Sequence, residues 1–267
     1  MDGLQEVGTT RMIARVEGPV GWMIFNNPAR RNAVSLDMWE AVPRIQRRFE
    51  QDPAIRVIAL AGEGGRAFVS GADISQFEQQ RSNAEQVARY DEVSARASDA
   101  LKRAAKPTVA VIRGWCIGGG LGIAANCDLR FATEGSKFGV PAGRLGLGYA
   151  HKGVQTLMNI VGPAYTKEIF FTARHFTAAE AQAMGFVNRF APEAEFDGFV
   201  ADQLATIAAN APMTLKALKG TVRELLRGPD ADLGLCREMV AECFASEDYK
   251  EGRRAFMEKR QPVFRGA

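Results

Sequence analysis

The stretch from Lys106 to Ala132, KPTVAVIRGWCIGGGLGIAANCDLRFA, constrains the fold of this chain more than any other. Thr108 to Ile112 is a short β-branched run of the kind a buried strand uses. Gly114 breaks the run, and Gly118, Gly119 and Gly120 then follow one another directly. Leu121 to Ala125 restarts as small apolar residues, consistent with a helix pressed against a close neighbour, and Leu129 to Ala132 reads as the next strand. Glycines at a strand-to-helix junction let another group approach the backbone. The first amides of a helix have no partner of their own and carry a partial positive charge, which suits an oxygen bearing negative charge. Tight packing explains a triple-glycine turn equally well.

A second junction repeats the pattern. Ala67-Phe68-Val69-Ser70-Gly71-Ala72-Asp73-Ile74 is a short apolar strand, a glycine, and then a residue, Asp73, able to cap a helix. Residues 75–100 read as helical, so strand and helix alternate and the fold class is α/β. Two such junctions, each aiming one backbone N–H at a shared point, would make an oxyanion hole.

Elsewhere, residues 12–16 and 20–25 read as two strands. A helix runs over 36–51, with Ser35 as its N-cap and Pro43 marking a kink or a late start. Residues 57–61 form a strand, and 138–151 form a loop rich in glycine. Helices follow over 154–161 and 165–171. Thr177 and Glu180 form a capping box opening a helix over 179–184, with a last strand over 186–190. From Phe199 onward the pattern is helical. The division expected is therefore 1–198 as an α/β core and 199–267 as a helical region.

Composition closes off several functions. The 267 residues carry a net charge of +3 with acids and bases interleaved, so nothing suggests nucleic acid as a partner. The apolar segment around Gly114–Ala125 is too short and glycine-rich to span a bilayer. The opening MDGLQEVGTTRM has no apolar signal region, so a cytoplasmic location is expected. The cysteines, Cys116, Cys127, Cys236 and Cys243, form no CxxC pair and read as small buried hydrophobes. His151 and His175 are the two histidines of the sequence, too few for a multi-histidine metal site. No P-loop, G-x-S-x-G or G-x-G-x-x-G is present.

The motifs taken together resemble the crotonase superfamily, also called the enoyl-CoA hydratase/isomerase family. The matching marks are Asn27-Pro28 with Asn32-Ala33, Phe68 to Ile74, Gly114 with Gly118 to Gly120, Cys127-Asp128, Phe138-Gly139, Leu145-Gly146 and the ending SEDYKEGRRAFMEKRQP. The resemblance implies a crotonase-like spiral of ββα units with a C-terminal helical trimerisation region, and a homotrimer or hexamer. It implies an acyl-CoA substrate and no cofactor beyond the coenzyme A thioester itself. Carried over residue by residue, the oxyanion hole is the N–H groups of Ala72 and Gly119. Gly71, Asp73, Ile74, Gly118, Gly120 and Pro141 flank it, and Asn32 and Ala33 lie in the segment that lines the adenine and pantetheine channel. Arg30, Arg31 and Lys259 are candidates for the CoA phosphates.

Two departures bear on the reaction. Hydratases of the family carry one glutamate two residues past the third glycine and another just after the loop proline; here these positions are Gly122 and Ala142. Neither residue can move a proton, so the usual hydration mechanism is not expected. The loop to Tyr149 and the C-terminal ending also resemble the family's methylmalonyl-CoA decarboxylases, although those carry a histidine where this chain has Ala72. Tyr149 and His151 are the candidates to replace the absent acids. The expectation is an acyl-CoA enzyme working through a thioester enolate. A decarboxylase or other lyase, and a non-catalytic acyl-CoA-binding protein, are the alternatives.

Overall fold

The computed structural model describes residues 7–73 and 83–266. The antiparallel hairpin of β1 (Met12–Glu17) and β2 (Val20–Phe25) opens the fold. Strands β3 (Val57–Gly62), β5 (Thr108–Ile112), β7 (Leu129–Thr133) and β10 (Arg189–Ala191) then add in parallel, giving one sheet in the order β1-β2-β3-β5-β7-β10. A second sheet is built from β4 (Ala67–Val69), β6 (Trp115–Ile117), β8 (Lys137–Gly139) and β9 (Phe176–Thr177), of which the first three run parallel.

The chain alternates between the sheets. Each of β3, β5 and β7 is followed by its successor in the second sheet and then by helix: α2 (Ala84–Arg103), α3 (Gly119–Ala125), or the pair α4 (Ala142–Leu145) and α5 (His151–Thr172). This is the expected spiral of ββα units. Gly114 is where β5 hands over to β6. Its φ is +64°, and a Cβ there would stand 2.1 Å from the Arg66 carbonyl oxygen, so only glycine fits.

The core lies between the sheets and under α1 (Leu36–Gln51), α2, α3 and α5. Met38, Val42, Ile45 and Phe49 face it from α1, and Trp39 Nε1 donates to the Tyr90 hydroxyl of α2 at 2.8 Å. Pro43 sits inside a continuous α1. The outer face of the large sheet is covered by α7 (Glu193–Ala209), whose Phe196, Val200 and Leu204 meet Val57, Val109 and Phe131. Three further helices, α8 (Pro212–Leu225), α9 (Leu233–Ala245) and α10 (Glu247–Glu258), complete the chain. The capping box forms as expected, with Thr177 and Glu180 bonded reciprocally at the start of α6 (Ala178–Ala183).

Several local readings are corrected. Residues 138–151 are not a plain loop: they complete β8, form the one-turn α4 and begin α5 at His151. The strand expected over 186–190 pairs only over Arg189–Ala191. Ser35 does not cap α1 with its side chain, because its hydroxyl bonds the Asp37 carboxylate instead. The helices of α5 do form one run broken at Gly162, where φ is +73°. Cys116, Cys127 and Cys236 are buried free thiols, and Cys243 is half-buried.

Candidate active site

Three parallel neighbours, β4, β6 and β8, end at the same edge of the small sheet, and each hands the chain to one of the motifs. After β4 come Gly71 and Ala72; after β6, Gly118 and Gly119; after β8, Pro141 and Ala142. A Cβ on Gly119 would lie 3.7 Å from the Ala72 nitrogen, and one on Gly118 would lie 4.0 Å from Pro141 Cδ. Gly71 has φ +118° and Gly118 has φ +54°, so each turn uses a conformation that side chains resist. Ala72, Gly118, Gly119 and Pro141 are half-buried, within reach of a ligand. Neither the Ala72 nor the Gly119 N–H meets an acceptor among the described residues.

The segment carrying Ala72 is held by the turn over 27–35. Val34 N donates to Gly71 O at 2.8 Å and Asp73 N to Val34 O at 3.0 Å, a parallel bridge that leaves the intervening Ala72 N–H facing the other way, toward Gly119. Ser70 N adds a bond to Arg31 O at 3.1 Å. Asn32 organises this turn. Its side chain is fully buried and donates to the Glu63 and Ala67 carbonyls at 3.0 and 2.8 Å while accepting from Asn27 N at 2.9 Å. That leaves Asn32 no free side-chain group for a ligand, so its part is to shape the turn. Ala33 is buried beside it, its carbonyl accepting from Asn27 Nδ2.

The charged candidates separate. Asp73 is buried with its carboxylate 3.3 Å from the exposed Arg30 guanidinium. Arg31 stacks its guanidinium 5.9 Å from the Trp115 ring. Lys259 lies exposed at the C-terminal end of α10, with no hydrogen bond to the Arg30–Arg31 turn among the described residues. Ile74 and residues 75–82 lie outside the described residues; the described part of the helix expected over 75–100 is α2, and its cap is Asn83, whose side chain accepts from Gln86 N at 2.9 Å, not Asp73.

The two neutral positions differ from each other. A Cβ on Gly120 would stand 2.1 Å from Val69 O, whereas one on Gly122 meets nothing within 4 Å. Gly120 thus seats α3 against β4, and Gly122 faces open, half-buried space rather than a packed neighbour. Ala142 is buried in the core. Tyr149 packs its ring edge-on to Phe170, with centroids 4.9 Å apart, and burial pushes its phenol above the ordinary value. Its hydroxyl has no hydrogen-bond partner among the described residues. His151 is exposed on the first turn of α5.

Sequence reasoning passed over Arg130. It is buried in β7, and its guanidinium is surrounded by backbone carbonyls: Nε donates to Phe186 O, Nη1 to Ala124 O and Cys127 O, Nη2 to Asp128 O. The signal was present, an arginine inside the apolar strand LRFAT. The same burial raises the Cys127 thiol to about 12, so it stays protonated. No cluster of metal-ligating side chains occurs among the described residues.

Comparison with known proteins follows this geometry. The sequence model of enoyl-CoA hydratase/isomerase matches residues 15–267. A short-chain-enoyl-CoA hydratase of Clostridium acetobutylicum is 31% identical over 94% of this chain and 95% of its own. A peroxisomal Delta(3,5)-Delta(2,4)-dienoyl-CoA isomerase of Arabidopsis thaliana is 32% identical over 91% of each. In structure, an enoyl-CoA hydratase/isomerase family protein from Hyphomonas neptunium, itself described as putative, superposes with a TM-score of 0.91 at 36% identity, covering 97% of this chain and 98% of that one. Likeness that runs the length of the chain, in sequence and in fold alike, makes it a member of the enoyl-CoA hydratase/isomerase family.

Proposed function

We propose that the protein is an acyl-CoA enzyme that holds the thioester carbonyl oxygen between the N–H groups of Ala72 and Gly119 and works through the enolate they stabilise. The observation that carries this reading is the meeting of two unpartnered, half-buried N–H groups at the ends of adjacent parallel strands. Donors fixed in place before the reaction need no reorganisation as charge develops on the oxygen, and losing one costs roughly 3 kcal/mol. Family membership and relatives named for enoyl-CoA and dienoyl-CoA reactions support the thioester as substrate. Gly71, Gly118, Gly120 and Pro141 shape the hole, while Arg30, Arg31 and Lys259 are the cations offered to the CoA phosphates.

With Gly122 and Ala142 in place of carboxylates, proton transfer falls to another group, and Tyr149 is the better placed of the two candidates. Its ring is fixed by Phe170, its segment continues from Pro141, and its phenol stays protonated at neutral pH, ready to donate. A lyase reading is favoured by the open space at Gly122, which leaves room for a carboxylate-bearing acyl group. In decarboxylation the electrons of the breaking C–C bond pass into the thioester carbonyl, carbon dioxide leaves, and the enolate is protonated at the α-carbon. That sequence needs an oxyanion hole but no strong base.

A panel of 2-enoyl-, 3-enoyl- and malonyl-type CoA thioesters, with products identified by mass, tests the proposal. Crotonyl-CoA hydration is expected to be slow, because each absent acid–base group is worth roughly a hundred- to ten-thousandfold. Rapid hydration would contradict the reading. Binding of thioesters without a product from any of them would leave a non-catalytic acyl-CoA-binding protein.

The expected boundary at 198/199 falls inside α7, which packs on the large sheet, so we assign the helices after α7 to assembly, as a homotrimer or hexamer. Leu218, Phe244, Phe256 and Met257 are exposed there, around an apolar groove of about 870 Å³ between α8, α9, α10 and the C-terminal tail. No described helix is long and apolar enough to cross a membrane.

A further inference from the structure

Arg130 is a buried cation with no salt-bridge partner among the described residues. Burying a charge is costly unless it is paired or well hydrogen-bonded, so its retention asks for a reason. Its bonds supply one. Nη1 donates to Ala124 O at 3.2 Å, in the last turn of α3, and to Cys127 O at 2.7 Å in the turn that follows. Nη2 donates to Asp128 O at 3.3 Å, Nε to Phe186 O, and the guanidinium lies 5.4 Å from the centroid of the Phe186 ring. One side chain therefore ties the far end of α3 to β7 and to the segment after α6. At its other end α3 begins with Gly119.

The Asp128 carboxylate interacts with Arg130 through space but forms no ion pair with it. Asp128 Oδ2 accepts from Thr108 N at 2.7 Å and Thr108 Oγ1 at 2.9 Å, and it pairs with Lys219 Nζ at 2.6 Å. Asp128 and Lys219 neutralise each other, and the positive charge of Arg130 remains.

We infer that Arg130 is a positioning residue for the reaction: it anchors α3 so that the Gly119 N–H meets that of Ala72, and its buried charge favours the anion formed there. This rests on the proposed role of those two N–H groups. The seven residues of α3 rise about 10 Å, which puts the guanidinium about 12 Å from the oxygen. A unit charge at that range, in a protein environment with an effective dielectric constant of about 20, changes the affinity for an anion about tenfold. Because Arg130 is buried, salt screens it little.

The test compares two CoA ligands by calorimetry. One is a nitroalkyl thioether of CoA in its nitronate form, with charge near the enolate oxygen position; the other is the S-butyl thioether, which has neither carbonyl nor charge at that position. Wild type is expected to prefer the nitronate. Arg130→Met should lose about tenfold of that preference while binding the thioether as before. Arg130→Lys, which keeps the charge, should restore most of it. A purely structural role would weaken both ligands alike or neither. A folded Arg130→Met with the full preference overturns the inference, as does an Arg130→Lys no better than it. If Arg130→Met does not fold, Lys219→Met frees the Asp128 carboxylate beside Arg130 and must lower the preference; no change there overturns the inference equally. Absence of any preference in wild type would instead sink the role of Ala72 and Gly119, and this inference with it.

Discussion

Two glycines separated by one residue carry opposite duties. At Gly120 the space a methyl group needs is already filled by Val69 O, while at Gly122 it is empty. Gly120→Ala is therefore expected to push α3 off β4, lowering the melting temperature and acyl-CoA binding together. Gly122→Ala should raise stability by about 0.5–1 kcal/mol, because glycine in a helix is more costly than alanine. Thermal melts of the pair decide it, and equal effects would contradict the packing described. The sequence showed that Gly122 lacks a carboxylate but did not tell tight packing from open space. Tyr149→Phe is expected to lower kcat on the true substrate at least tenfold, about 1.4 kcal/mol of transition-state stabilisation, with KM little changed. His151→Ala, at an exposed position, should leave kcat near wild type. The reverse pattern would move the proton-transfer role to His151.

Among elements, the longer strands of the large sheet were legible because each is a run of five or six mostly apolar residues with a clear end, as in Thr108–Ile112, whereas the three-residue β10 was expected three residues too early. Of the small sheet, only β4 was legible. Trp115–Ile117 and Lys137–Gly139 are three residues each, too short for a period, and both stand beside glycines that read as breaks. Their pairing is between residues distant in sequence, so the common edge that gathers the three motifs emerges only in the fold. The motifs were visible; what brings them together was not. The C-terminal ending is explained mechanically as well. Asp248 accepts from Arg265 N and Gly266 N at 2.7 and 2.8 Å, folding the tail back on α10. The capping box of α6 makes a pH prediction. Glu180, bonded by Thr177 N–H and by Arg174, is held at about 2, below its ordinary value of 4.5. A carboxylate depressed on folding stabilises above its unfolded value and loses that contribution as pH falls through the folded one. The melting-temperature gap between wild type and Glu180→Gln should thus be constant above about pH 5 and narrow toward pH 2. A gap independent of pH would contradict the bonding described.

At the scale of the molecule, the C-terminal helices leave more large apolar side chains exposed than a solitary subunit should carry, Phe256 and Met257 each at 82%. Light scattering at micromolar concentration is expected to give a trimer or hexamer, and Leu218→Glu with Phe244→Glu should shift it toward monomer. A wild-type monomer would contradict the assembly. The proposed oxyanion hole depends on the whole fold in another way, since three strand ends and two turns bring the Ala72 and Gly119 N–H groups together. The most direct test is the infrared stretching frequency of the thioester carbonyl of butyryl-CoA, carbon-13 labelled at C1, free and bound. A clear shift to lower frequency on binding is expected, as two hydrogen bonds draw electron density onto the oxygen. A bound carbonyl stretching at the same frequency as in water would contradict it.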